Sequence, residues 1–257
     1  MGGQFKGGAG SGTAPSSLSA VQHGIITCNR CARLRAYCQE VGSVKKAAFR
    51  DDTYWARPVP GFGDPRARLL ILGLAPAAHG ANRTGRVFTG DGAGASGDFL
   101  MAALKRARFA NIATSQHPDD GLKLTDAYIA AAVRCAPPDN KPLPEEIDRC
   151  LTHLQHEVAH LTHLRVVVAL GKIAWDAWLK LLTLNGDEIP RPRPAFGHGA
   201  IFTHLAPPHL APRTFAPSHP RTLIGAYHPS RQNTNTGVVT PKMYDAVFRA
   251  VRESLRR

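Results

Sequence analysis

The sequence contains no run of eighteen or more apolar residues, which excludes a transmembrane helix. Its first twenty residues have one lysine and no apolar core, so they predict neither a signal peptide nor an amphipathic transit peptide. We therefore expect the protein in the cytoplasm. No internal repeat is present. Wholesale disorder is also excluded, because hydrophobic residues make up 43% of the chain.

Acidic residues are scarce. The chain has 19 Asp and Glu against 32 Lys and Arg, which gives a formal charge of +13. Such a surplus is either a solubility feature or a sign of a polyanionic partner, since basic surfaces bind phosphates by displacing counterions. Charge alone does not distinguish DNA from RNA or from an acidic protein.

The length of 257 residues allows one large domain or two small ones. Residues 1–20 are rich in Gly, Ser and Ala and predict a flexible tail. From residue 21 to residue 257 the chain reads as one continuous domain. Within it, residues 186–221 are rich in proline and histidine and predict a long loop that is functional or mobile.

Four apolar runs have the character of strands covered on both faces, as in a parallel sheet: residues 68–74, 127–133, 165–170 and 222–227. Helical patterns cover residues 97–109, 144–163, 171–184 and 241–254. The pattern at 144–163 is the clearest, because Pro144 suits a first turn and apolar residues recur at steps of four and three. The alternation predicts a three-layer α/β/α fold around a parallel sheet.

The five cysteines suggest a metal centre. Cys28 and Cys31 form a C-x2-C pair, Cys135 and Cys150 lie far downstream, and Cys38 is left over. Free buried thiols would be the simplest interpretation, and a disulfide framework is disfavoured in a large cytosolic chain. Four thiolates from two distant segments suit either zinc or an iron–sulfur cluster that joins the N-terminal segment to the fold. The open spacing of the second pair favours a cluster.

Residues 73–91 begin at the carboxyl end of the first predicted strand, where open α/β sheets place their ligands. Its candidate ligand groups are a carboxylate, an aromatic ring and the polar side chains of three residues: Asp91, Phe88, His79, Asn82 and Arg86. It is either a ligand pocket or a surface loop in which Asp91 caps a helix.

Residues 227–233 follow the last predicted strand, so a parallel sheet would bring His228 to the same edge. A histidine there can donate a hydrogen bond to a leaving group or act as an acid or base. The alternative is a histidine that is satisfied by backbone groups in a turn.

Two further patterns say less about function. Residues 92–97 match G-x-G-x-x-G but lie too far beyond the strand for a dinucleotide site, so these glycines suit a phosphate near the start of the 97–109 helix. Four histidines on the 144–163 helix lie about 200° from its apolar stripe, which predicts a solvated face. They are His153, His156, His160 and His163.

Taken together, these motifs resemble the iron–sulfur uracil-DNA glycosylases, most closely their family 5 branch. The matching stretches are the Cys28/Cys31 pair and residues 73–91, 133–142, 196–199 and 227–237, which span nearly the whole domain. The resemblance implies a four-stranded parallel sheet and a [4Fe–4S] cluster on Cys28, Cys31, Cys135 and Cys150. It also implies hydrolysis of the N-glycosidic bond of a damaged base in double-stranded DNA.

The resemblance also implies roles for individual residues. His228 would stabilise the departing base, Asp91 would face the sugar and orient water, and Phe88 would stack on the base. The base pocket would comprise Gly73, Leu74, Ala75, Pro76, Ala77, Phe88, His79 and Asn82. Contacts with DNA would come from Arg86, Ser230, Arg231 and Gln232, with further contacts from the Arg-Pro-Arg-Pro run at 191–194.

Two departures from related glycosylases bear on substrate range. Ala77 and Ala78 stand where relatives carry an Asp or Asn, a trait shared with the family 5 branch, which accepts hypoxanthine and oxidised or alkylated pyrimidines. Ala131 stands where iron–sulfur relatives often have a base-reading Asn, so Asn140 is the remaining candidate for that contact. We therefore expect broad specificity.

Two other functions stay open. A four-cysteine zinc module that grips nucleic acid would explain the charge and the cysteines but not the other motifs. A family member that traps uracil-DNA covalently, or turns it over weakly, would explain all of them. We expect a monomer that associates with the nucleoid and has no membrane partner.

Overall fold

The computed structural model describes residues 15–204 and 221–257. Its strands are β1 (Phe62–Gly63), β2 (Leu69–Gly73), β3 (Ala127–Ala131), β4 (Val166–Leu170), β5 (Ile201–His204) and β6 (Arg221–Ala226). Its helices are α1 (Leu18–Ile26), α2 (Ala32–Val44), α3 (Ala81–Thr84), α4 (Ser96–Arg106), α5 (Pro144–His160), α6 (Lys172–Leu184), α7 (Arg231–Asn235) and α8 (Pro241–Arg256). Short 3-10 turns lie at Ala47–Phe49 and Pro138–Asn140.

The strands form one mixed sheet in the order β1-β3-β2-β4-β6-β5. The inner pairs are parallel, and Ile71 of β2 lies between Ile129 and Val168. β1 and β5 add antiparallel edges. The expected four-stranded sheet is therefore too small. The two edge strands escaped prediction because β1 has only two residues and β5, inside the expected 186–221 loop, is only partly buried.

Every residue of the four inner strands is buried, because helices cover both faces of the sheet. Leu69 and Ile71 point into a core shared with α4 and α8. Leu70 and Leu72 point into the opposite core, which α5 and α6 complete. This alternation within one apolar run explains why the sequence shows no polar face.

The predicted helices correspond to α4, α5, α6 and α8, with ends shifted by up to three residues. α1 and α2 were not predicted. α1 begins at Leu18, where Ser17 Oγ accepts a hydrogen bond from Ala20 N, so the expected tail boundary at residue 20 falls inside a helix. Residues 1–14 of that tail lie outside the described residues.

α1 also packs against α5 and changes the environment of the histidine face. His153, His156 and His160 are half-buried, and His163 alone of the four is exposed. Burial lowers the pKa of His153 to about 3. His160 Nε2 lies 3.0 Å from Pro15 O. The predicted solvated face is thus wrong for three of the four, since an unrecognised helix lies nearby.

Across the part of the chain that the structure describes, no helix is both long and apolar enough to span a bilayer. Most of the predicted 186–221 loop, residues 205–220, falls outside the described residues.

Candidate active site

A cavity of about 420 Å³ lies at the carboxyl ends of the parallel strands. Its walls come from the loop after β2, from the end of β3 and from the loop after β6. The lining residues are Leu74, Ala75, Pro76, Ala77, Ala81, Val87, Phe88, Asp91, Ala95, Ser96, Ala131, Asn140, His228, Ser230 and Arg231. The structure therefore brings Phe88, Asp91, Asn140 and His228 to one cavity, together with four of the expected base-pocket residues.

The rings of Phe88 and His228 stack, with centroids 5.8 Å apart and planes inclined by 28°. Phe88 has a left-handed backbone, with a φ of 53°. Gly73 does not line the cavity. A Cβ there would lie 2.9 Å from Phe88 Cε2, so the glycine leaves room for the ring. Gly97 likewise lets α4 begin against the carbonyl of Phe88, where a Cβ would be 2.2 Å from the oxygen.

Asp91 lies between the cavity and the loop at Gly80. A Cβ on Gly80 would lie 1.8 Å from Asp91 Oδ1, so this glycine makes space for the carboxylate. Burial raises the pKa of Asp91 to about 6, against the opposing charges of Arg231 and Arg83. A carboxylate with such a pKa is poised to accept a proton near neutral pH.

His228 is half-buried, and burial lowers its pKa to about 4. It is therefore a neutral imidazole at neutral pH and can donate one N–H. The following turn is well anchored, because Asn233 Nδ2 donates to His228 O over 2.8 Å. Ser230 Oγ, which accepts from Asn233 N, caps α7.

Asn140 and Ala131 both line the cavity. Asn140 ends the Pro138–Asn140 turn with a φ of 57° and is exposed. Ala131 ends β3 and is buried beside Gly73 of β2. The amide of Asn140 is accordingly available at the cavity wall where Ala131 offers only a methyl group.

Two of the expected site residues face inwards instead. Asn82 is fully buried and donates from Nδ2 to Cys38 O and Ala78 O, so it ties the loop to α2 rather than lining the cavity. Arg86 pairs with Asp120 at 2.7 Å and donates to Pro118 O, so it is not presented to DNA. Residue type alone did not distinguish a ligand contact from a loop anchor.

A second cavity of about 480 Å³ adjoins the first and shares Ala77, Asp91, Asn140 and Arg231 with it. The expected pocket residue His79 lines this second cavity, with its Nδ1 3.0 Å from Tyr54 Oη. Arg231 Nη2 lies 3.4 Å from Asp91 O. Gln232 is exposed beside it.

The cysteines gather beside this site. Cys31, Cys38, Cys135 and Cys150 belong to one buried cluster. Burial raises the pKa of Cys31, and the neighbouring Cys135 and Cys28 raise it further. Among residues 15–204 and 221–257, no three His, Cys, Asp or Glu side chains converge as they would around a single ion.

Arg134 adds a second indication of an anionic group. Its side chain is buried and pairs with the equally buried Glu157. Its Nε and Nη1 have no partner among the described residues. Burial raises the pKa of Cys150 to about 11, and the charge of Arg134 opposes that rise. Unsatisfied buried donors next to cysteine thiols fit a bound anion whose sulfides accept hydrogen bonds.

Comparison with known proteins places the chain in one family. The family model described as the uracil DNA glycosylase superfamily matches residues 60–252. A protein of Mycobacterium bovis named type-5 uracil-DNA glycosylase is 46% identical over 96% of this chain and 83% of its own length. One of Thermus thermophilus with the same name is 47% identical over 86% and 90%. A type-4 uracil-DNA glycosylase of Pyrobaculum aerophilum is 31% identical over 53% and 60%.

Proposed function

Because the chain belongs to the uracil DNA glycosylase superfamily, we propose that it hydrolyses the N-glycosidic bond between uracil and deoxyribose in DNA and so begins base excision repair. The observation that carries this proposal is the single cavity lined by the Phe88 ring, a neutral His228 and Asp91. An enzyme that acts on a base must take it out of the stack, and a cavity of about 420 Å³ is of the size that binds small ligands.

The reaction separates charge, and the two ends of the cavity suit the two charges. As the bond from C1′ to the base nitrogen breaks, its electron pair leaves with the base and positive charge grows on the sugar. The N–H of His228 donates to a base carbonyl and stabilises the leaving anion. Asp91 faces the sugar and takes a proton from the water that adds to C1′. Phe88 holds the base by stacking.

The substrate range extends beyond uracil. The wall around the base consists of small side chains at Ala77 and Ala131, which neither read a pyrimidine edge nor exclude a larger ring. We include hypoxanthine and damaged pyrimidines among the substrates on this ground. The charge of +13 supports duplex DNA as the partner, and we propose a monomer in the cytoplasm at the nucleoid.

The cofactor is a [4Fe–4S] cluster held by Cys28, Cys31, Cys135 and Cys150. The shared buried cluster of Cys31, Cys135 and Cys150 and the unpartnered donors of Arg134 support it. When bound, the cluster supplies a crosslink rather than chemistry on the base. The residues that hold it join the α1–α2 connection to α5 and to the chain after β3, five residues before Asn140.

A uracil excision assay tests the proposal. The purified protein is incubated with a labelled duplex carrying one uracil opposite guanine, and abasic sites are cleaved with alkali. We expect a product at the uracil position that falls at least about a hundredfold in Asp91→Ala but not in Asp119→Ala, an exposed acid. No product from an iron-containing protein that binds DNA would contradict the proposal, as would a covalent DNA complex on a denaturing gel.

A further inference from the structure

We infer that the second cavity binds a phosphodiester of the damaged strand next to the extruded nucleotide, with Lys46 as its cationic contact. This inference rests on the proposed function. It gives a DNA-binding function to the cavity of about 480 Å³ that adjoins the site.

The position of the second cavity is the first argument. It shares four lining residues with the first, so the two adjoin around Asp91 and Asn140. An extruded nucleotide stays joined to its neighbours by a phosphodiester on each side. The strand must therefore continue beyond the first cavity, and the second cavity adjoins the first.

The charge of the second cavity is the next argument. Lys46 is exposed and forms no ion pair within the described part of the chain, whereas the adjacent Lys45 donates to Arg50 O over 3.0 Å. After burial, the charge of Lys46 is the largest cause that lowers the pKa of His79, so the ammonium stands close to the cavity wall. Arg231 supplies a second cation there, against the carboxylates of Asp91 and Asp139.

The aromatic wall suits a nucleotide as well as a phosphate. Phe49 and Tyr37 line the cavity on the side of Lys46. One face of the Phe49 ring is covered by the guanidinium of Arg83, whose Cζ lies 3.9 Å from the ring centroid. Arg83 is itself fixed by Asp52 and by Gly90 O. The ring is thus held in place and can contact a sugar or base beside the phosphate.

The test compares Lys46→Ala with Lys123→Ala in the full-length protein. Lys123 is exposed and lies four residues before β3, near the amino ends of the parallel strands, whereas the cavities lie near their carboxyl ends. Lys123→Ala therefore removes the same charge far from the site. Binding to a fluorescent duplex with a stable abasic-site analogue is measured over a range of salt concentrations. We expect Lys46→Ala to raise Kd about tenfold and to flatten the salt slope by about one, with little change in Lys123→Ala.

Neutral methylphosphonates, placed one at a time on either side of the abasic analogue, locate the contact. At one position the substitution should weaken DNA binding by the wild-type protein and leave binding by Lys46→Ala unchanged. Equal Kd and salt slope for the two lysine variants would overturn the inference, as would methylphosphonates that weaken Lys46→Ala as much as the wild type. Uracil excision by the wild type, measured in parallel, tests the proposed function separately.

Discussion

His198 Nδ1 accepts a hydrogen bond of 3.2 Å from the backbone N–H of Tyr227, the residue that precedes His228. The other ring nitrogen of His198 lies 3.4 Å from Met243 O, and the Tyr244 hydroxyl donates to Tyr227 O. The peptide that leads into His228 is therefore held on both sides by groups outside the cavity. We therefore expect the element at residues 196–199 to position His228.

Replacement of His198 should slow catalysis more than it weakens DNA binding. We expect His198→Leu to lower the single-turnover excision rate by about ten- to a hundredfold, because a small displacement of a reacting group is costly. His198→Asn can keep an acceptor near the Nδ1 position and should recover much of the rate. His163→Leu, at an exposed position after the end of α5, is the control. Equal rates in the Leu and Asn variants would argue against this role.

The pH profile of kcat/KM should fall on the acid side of about pH 6. Burial raises the pKa of Asp91 to about 6, so the carboxylate is progressively protonated below that pH and cannot accept a proton. His228 does not limit this window, since its pKa is lowered to about 4 and it stays neutral above that value. Asp91→Asn should abolish the acid limb along with most of the activity. An unchanged limb in that variant would assign it to another group.

Asp91 should also reduce stability at alkaline pH. A carboxyl whose pKa is raised on folding binds protons more readily in the folded state, so stability is lost as pH rises from about 4 through about 6. We expect Asp91→Asn to raise Tm at pH 8 and to change it little at pH 4. Thermal unfolding at both values measures the difference. A lower Tm for the variant at pH 8 would contradict the assignment.

Retention of the cluster should depend on Arg134. The single variant would leave Glu157 buried and unpaired, so the test uses Arg134→Met combined with Glu157→Gln. We expect this double variant to contain less iron and to lose its visible absorbance faster in air than Arg149→Met, which alters an exposed arginine beside Cys150. Equal iron content would mean that the donors of Arg134 serve another group.

Ala131 should set the breadth of substrates. We expect Ala131→Asn to lower the ratio of hypoxanthine to uracil excision by about tenfold, since an amide at the cavity wall can pair with a pyrimidine edge and oppose other bases. Ala131→Leu has the same branched shape and number of heavy atoms as the Asn variant, without hydrogen-bonding groups, and controls for crowding. If both variants change the ratio alike, the effect is one of space.

The sequence predicted the inner sheet and its flanking helices because strands covered on both faces are apolar throughout, as at Val166–Leu170. It missed the edge strands β1 and β5, which contain no such apolar run. It located Asp91, Phe88 and His228 near one cavity, because the carboxyl ends of parallel strands share an edge. It did not foresee that Asn82 and Arg86 bond to the protein itself, since polarity does not tell whether a side chain turns to a ligand or to its own loop.

The absence of a side chain at Gly80 leaves room for the carboxylate of Asp91. Gly80 has no functional group, yet a methyl in its place would overlap the carboxylate oxygen of Asp91. The side chain of Asp91 can move aside, so we expect Gly80→Ala to leave the fold intact and to displace the carboxylate from its place in the cavity. The proposed chemistry therefore requires the empty space beside Gly80 as well as the carboxylate that fills it.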